Sequence, residues 1–293
     1  MRFLKATNID FMRYRKIAFL ISSSLIVIGL IAFFIRGKTI FGIDFTGGTL
    51  IRYKFQQTVD VGDIRTALER GGVEKSIIQS YDGGRGILVR TSGERRKEIE
   101  EIIQSNFSSS VPKVVEERTI GPVVGELLKR KALFAVIFAM IGILLYIGWR
   151  FEFKFGFCAV VCLIHDVLFT IGIFALTGRE ISLPVVAAFL TIVGYSLNDT
   201  IVVFDRIREN LKISRRKLHP SIVNSSINQV LSRSVITSLT TLLTVLTLLF
   251  LGGAVVRDFA FALAIGIVIG TYSSVYIASP LLMGMERRLK SRV

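Results

Sequence analysis

The chain has 293 residues, of which 51% are hydrophobic, and its 37 Lys and Arg against 22 Asp and Glu leave a formal net charge of +15. A soluble protein this basic would suggest nucleic acid, but the apolar content points to a membrane, and no zinc-finger spacing, RNA-binding motif or basic-aromatic platform occurs. Nucleic acid is therefore set aside as a partner, and the positive charge must be explained by where it sits.

Six apolar runs approach the ~20 residues that cross a bilayer. The first, Ile17–Ile35, follows a basic start of Arg2, Lys5, Arg13, Arg15 and Lys16. It is too long for a signal h-region, and "FFIRGK" offers no small-x-small cleavage site, so it reads as an uncleaved first transmembrane helix. "AFFIRGKT", residues 32–39, nearly matches a Walker A loop, but Ala32 replaces the first glycine and Phe33, Phe34 and Ile35 fill the loop. A phosphate cradle needs open, flexible backbone there, so nucleotide binding is set aside.

"FGIDFTGGT", residues 41–49, places Asp44 before Gly47 and Gly48. Paired glycines allow positive φ and close backbone approach, which suits a bulge or tight turn at a domain entrance; a ligand site is the alternative. Residues 36–130 form the one large polar segment between apolar runs. "TLIRYKF" alternates like a strand, "VGDIRTALERGG" has helical spacing with a Gly-Gly stop, and "SIIQSYDGGRGILVRTS" is two strands around a glycine turn. "GERRKEIEEIIQSNF" is a helix, apolar at Ile99, Ile102, Ile103 and Phe107, and "PKVVEERTI" is a last strand. The order β-α-β-β-α-β predicts an α+β ferredoxin-like domain of ~95 residues, enough for one small core. It holds no His, no Cys and no Ser-His-Asp arrangement, so binding or mechanical coupling is expected of it, not catalysis.

The remaining runs are Ala132–Ile147, Phe155–Leu176, Ile181–Phe204, Ser234–Leu251 and Phe259–Leu282. In the third span, Cys158, Cys162 and His165 make C-x3-C-x2-H, but no further ligands accompany them, and apolar packing is the expected role of the cysteines. Asp166 follows His165 at mid-depth. Carboxylate beside imidazole suits a proton relay, and structural pairing to a neighbouring helix is an equal alternative.

In the fourth span Asp199 lies about 25 Å from the outer end at ~1.5 Å per residue, on one face with Tyr195 and Ser196. An unpaired aspartate there costs about 2.5–3.5 kcal/mol on insertion scales, so it should face a bundle interior with a partner. Arg233, about 28 Å from the outer end of the fifth span, has nearly the same depth. It is the candidate partner, unless it merely snorkels at a helix end. It heads a hydroxyl face of Thr237, Thr240, Thr241, Thr244 and Thr247, which suits either ordered water and proton passage or packing between helices.

Between those two spans, residues 205–233 read as amphipathic helix broken at Pro220, with His219 at the surface and a basic face that can meet anionic lipid. Lys and Arg cluster in the amino-terminal segment, at Arg150 and Lys154, in 205–233, and at Arg287, Arg288, Lys290 and Arg292; the other short loops carry only Arg179 and Arg257. By the positive-inside rule both termini are cytoplasmic and the 36–130 domain is extracytoplasmic. The predicted layout is a cytoplasmic start and first helix over 1–35, the domain at 36–130, helices two to six over 131–283 and a cytoplasmic tail at 284–293.

"FGIDFTGGT", "HDV" and above all "VGYSLNDTIVVFDRIREN" (193–210) resemble the SecD/SecF family of bacterial protein-export membrane subunits, and the resemblance covers nearly the whole chain. It implies an α-helical polytopic membrane protein of the bacterial cytoplasmic (inner) membrane. Its six transmembrane helices would be half of an RND-type (resistance-nodulation-division) transporter, completed by a SecD-like subunit to twelve spans. It further implies association with the SecYEG channel and a translocating polypeptide, no enzyme activity, no cofactor, and the proton gradient as energy source. Asp199 and Arg233 then belong to the proton pathway, with another acid supplied by SecD. Sodium as coupling ion stays open, because carboxylates serve both ions. Two other classes stay open as well: a small-molecule or lipid exporter subunit on the same fold, and a non-transporting assembly scaffold.

Overall fold

The computed structural model describes residues 7–73, 76–214 and 218–290. Of the basic positions above, Arg2, Lys5, Arg215, Arg216, Lys217 and Arg292 lie outside the described residues, as do the side chains of Arg287, Arg288 and Lys290. In chain order the elements are α1 (Phe11–Arg36), α2 (Ile43–Thr46), β1 (Gly48–Lys54), α3 (Val61–Arg70), β2 (Ile77–Tyr81), β3 (Gly86–Thr91), α4 (Arg96–Phe107) and β4 (Lys113–Ile120). There follow α5 (Pro122–Arg150), α6 (Phe153–Leu176), α7 (Leu183–Ser214), α8 (Pro220–Leu251), α9 (Ala254–Ser273) and α10 (Ser279–Lys290).

Among the described residues six helical stretches are long and apolar enough to cross a membrane: α1, α5, α6, α7, α8, and α9 running into α10. Each extends past the apolar run that marks it. The polar flanks continue the helices because a single helix keeps its backbone paired on either side of the hydrocarbon. Within the last span Ser274–Ala278 is a π-helical turn. Pro280 lacks the N–H that a regular helix would offer to the carbonyl of Tyr276, and Ser279 Oγ donates instead to the carbonyl of Ser274 at 2.8 Å. Pro220 is the first residue of α8, and the ring of His219 accepts from the N–H of Ser221, so His219 caps that helix.

The chain divides into two compact units. One comprises Phe41–Ala135 with Ile181–Leu183. Its strands form an antiparallel sheet in the order β2-β3-β1-β4, with the β-α-β-β-α-β succession read from the sequence. The alternation in β1 sends Ile51 and Tyr53 under α3 and α4, where they join Ile64, Leu68, Ile87, Val89, Ile99 and Ile103 in one apolar core. On the opposite face Leu50 and Leu88 are covered by Ile43.

The other unit is built from the rest of the chain. Its core gathers Phe151, Phe155 and Phe204 with Cys158 and Cys162, so both cysteines are packing residues. α1 and α6 approach at Gly29 and Gly172; a β-carbon at Gly29 would stand 2.5 Å from the Gly172 Cα. Small residues at such a crossing let two backbones touch without apolar driving force. At the other end of α1, Asn228 pairs with the backbone of Ile9 in both directions (Ile9 N–H to Oδ1, 3.0 Å; Nδ2 to Ile9 carbonyl, 2.9 Å). Asn224 accepts from the Met12 N–H at 3.0 Å and donates to Asp10, which itself caps α1. These contacts latch the amino-terminal end of α1 to the first turns of α8.

Candidate functional site

The glycine motif is a junction. Gly47 (φ 69°) and Gly48 (φ 119°) both have left-handed backbone, and a β-carbon on Gly48 would run into the carbonyl oxygen of Thr91. The turn they make sets Asp44, 6% exposed, against the segment 181–183. Its Oδ2 accepts from the N–H of Leu183 at 2.7 Å, and the N–H of Gly42 donates to the carbonyl of Ile181 at 2.9 Å. Leu183 opens α7, so Asp44 supplies a carboxylate to a helix amino terminus, which favours negative charge.

Asp199 is 2% exposed on α7. Its nearest partners are hydroxyls: Ser238 Oγ on α8 donates to Oδ2 at 3.3 Å and Thr271 Oγ1 on α9 at 3.1 Å, with 2.7 Å between those two hydroxyls. Arg233 is near enough for its charge to act on Asp199, yet among the described residues no ion pair joins them. Sequence reasoning found the acid and the arginine but missed Ser238 and Thr271, because nothing local marks which of many span hydroxyls converge. Tyr195, four residues before Asp199 on α7, has its Oη buried without a hydrogen-bond partner among the described residues.

Arg233 is exposed, as are Thr237, Thr240, Thr244 and Thr247 along α8. Each of these threonines donates to a carbonyl one turn back in its own helix, Thr237 to that of Arg233 at 3.0 Å. On α7 Thr191, Gly194 and Asn198 are exposed too. In helices that cross hydrocarbon, an exposed Asn on one and an exposed Arg on the next call for a cover.

Asp166 and His165 stand together in a second buried cluster. His165 Nδ1 lies 2.9 Å from Asp166 Oδ1, and His165 Nε2 lies 2.9 Å from Ser22 Oγ on α1. Asp166 Oδ2 accepts from Ser196 on α7 at 2.5 Å and from Ser273 on α9 at 2.8 Å. Two further side chains carry structural roles the sequence did not reveal. Arg36 donates to the carbonyls of Phe174, Gly178 and Arg179, closing the carboxyl end of α6, and Arg179 pairs with Asp258.

With this geometry the chain is matched by two family models: "Protein export membrane protein SecD/SecF, C-terminal" over residues 99–288 and "SecD/SecF GG Motif" over residues 40–59. It is 46% identical over 292 residues to the protein translocase subunit SecF of Desulfurispirillum indicum, covering 96% of this chain and 92% of that one. It is 44% identical to the protein translocase subunit SecDF of Thermus thermophilus, over 86% of this chain but 35% of that longer one. The crystal structure of SecDF from Thermus, a translocon-associated membrane protein, superposes with a TM-score of 0.86 at 40% identity, over 96% of this chain and 39% of that chain. A second crystal structure, of SecDF in a super-membrane-facing form, gives 0.72 over 99% of this chain and 40% of that chain.

Proposed function

The chain belongs to the SecD/SecF family of protein-export membrane proteins, and from that membership we propose that it is the six-span partner of a SecD-like subunit, with which it uses the proton-motive force to assist polypeptide export. The observation that carries this reading is the exposed polar stripe of Arg233, Thr237, Thr240 and Thr244 on α8 and Thr191, Gly194 and Asn198 on α7, backed by the buried Asp199. A second set of spans covering that stripe would remove its cost and close a pathway around the acid. The SecDF relative, in which this chain matches little more than a third of the length, supports such a partner.

In this reading the termini are cytoplasmic and the ferredoxin-like domain is extracytoplasmic, beside the SecYEG channel and the emerging chain. Protonation of Asp199 changes its balance with the hydroxyls of Ser238 and Thr271 and the field of Arg233. A buried charge gained or lost is worth several kcal/mol, ample to bias a two-state bundle. The work done is transport, with no bond made or broken in a substrate and no cofactor.

The test is export of a reporter in vesicles holding the assembled complex under an imposed proton gradient. Asp199→Asn keeps the volume and the hydrogen-bond acceptor but cannot titrate. Proton-driven stimulation should vanish while assembly with the partner persists. Arg233→Met should be comparably damaging and Arg233→Lys intermediate, since lysine keeps the charge without the planar fork. Full export by Asp199→Asn would reduce the acid to a structural residue and favour a scaffold.

A further inference from the structure

We propose that Ser22, His165 and Asp166 form a second proton-holding site in the membrane interior, which takes one proton on His165 Nε2 and passes the change of charge to the helices that carry Asp199. Its use in export rests on the proton-coupled reading above; its chemistry does not.

The hydrogen bonds accommodate the following starting state. Asp166 Oδ2 takes two hydroxyl donors, from Ser196 and Ser273, and Oδ1 faces His165 Nδ1, which donates in the tautomer that carries its proton there. That suits an anion, with the imidazole proton on Nδ1. The bare Nε2 of the neutral ring then accepts the hydroxyl of Ser22 at 2.9 Å. A proton arriving at Nε2 forms one N–H bond and makes an imidazolium whose counter-charge, Asp166, is already in contact. The Ser22 hydroxyl must reverse: Nε2–H now donates to Oγ, and the serine proton turns away.

The order Ser-His-Asp also activates nucleophiles, but Ser22 sits inside α1, where neighbouring N–H groups belong to the helix ladder and none is left to receive an oxyanion. The chain of groups moves protons instead. Ser22 also lines a mostly apolar groove of about 440 Å³ with Tyr14, Tyr272 and Tyr276. The far end reaches Asp199 through shared helices. Ser196 precedes Asp199 by less than one turn of α7, and Ser273 lies two residues after Thr271, the α9 donor to Asp199.

The other titratable groups around the pair are Cys162 on its own helix, Asp199 and Tyr195 on α7, Tyr272 on α9, and Tyr14 and Tyr276 in the groove beside Ser22. α1 brings Arg15 and Arg36, engaged with Met283 and with the α6 carboxyl end, and α10 brings Glu286, engaged with Lys154. Asp166 is thus the one ionisable side chain in hydrogen-bond contact with His165 among the described residues.

The chain has two histidines, so His219→Gln leaves His165 as the sole imidazole. The full chain, nitrogen-15 labelled in lipid bilayers, is followed by ring nitrogen shifts from about pH 5 to 8, the range in which an unperturbed imidazole changes charge. The expected record is a neutral ring with its proton on Nδ1 at the alkaline end, converting to the doubly protonated ring on acidification. Asp166→Asn should abolish that conversion within the window, and Ser22→Ala should move the Nε2 signal of the neutral form. A ring of constant charge throughout, or one that converts identically in Asp166→Asn, overturns the proposal. In the assembled complex His165→Gln should slow proton-driven export about tenfold and change its pH profile without loss of the partner. Wild-type rate and profile would overturn the role in coupling. Failure of Asp199→Asn to affect export would sink the proton-coupled reading and leave the ring titration standing.

Discussion

The carboxylate of Asp44 accepts from the N–H of Leu183 at 2.7 Å, whereas the phenol of Tyr53, on the strand that follows, is buried without a hydrogen-bond partner among the described residues. Burial pushes the Tyr53 phenol above its ordinary range, and the negative charges of Glu100 and Glu117 push the same way. The folded protein therefore holds that proton more tightly than the unfolded chain does. Its contribution is intact below the unfolded value near pH 10 and is lost as pH rises beyond it. Tyr53→Phe removes an unpaired buried hydroxyl, so it should raise stability by about 1 kcal/mol and flatten the alkaline slope of the thermal midpoint. A lower midpoint at neutral pH would mean the hydroxyl has a partner after all. Alternation along "TLIRYKF" placed Tyr53 in a strand, but the partner of Asp44 lies 139 residues away, and no local pattern announces it.

At the scale of elements, α1 and α6 meet through Gly29 and Gly172, and the contact is lopsided. A β-carbon at Gly29 would lie 2.5 Å from the Gly172 Cα, while one at Gly172 would lie 3.1 Å from the Gly29 Cα; Gly142 on α5 faces open space. Overpacking of this kind costs about 1–3 kcal/mol. Gly29→Ala should therefore destabilise the bundle more than Gly172→Ala, and Gly142→Ala should be near neutral, as read by denaturant unfolding in lipid or detergent. An equal loss at all three positions would remove the special status of the crossing. Apolar runs located the six candidate spans among the described residues because hydrophobicity is a property of each segment alone. Pairings such as Gly29 with Gly172, Arg36 with the end of α6, or Ser22 with His165 depend on which segments become neighbours. A single sequence shows the acids as costly and stays silent on the serines that meet them.

For the molecule as a whole, the proposed orientation is testable because both native cysteines are buried at 0% exposure. Ser109, exposed in the unit that carries the sheet, is a clean place for a reporter thiol. Ser109→Cys should react with a membrane-impermeant reagent in intact cells whose outer barrier is opened, and labelling only after the inner membrane is breached would invert the topology. The latch between α1 and α8 bears on how such a chain is made. The Ile9 N–H finds its acceptor on Asn228, 219 residues later. At about 5–20 residues per second, synthesis takes some 10–40 s to bring that acceptor out. For all that time the N–H groups of Ile9 and Met12 lack their α8 acceptors, and only the local cap from Asp10 serves that end of α1. The amino-terminal end of α1 is therefore latched late, when α8 arrives, and a nascent chain stopped before Asn224 would carry α1 able to pack on α6 at Gly29 but without partners for the N–H groups of Ile9 and Met12.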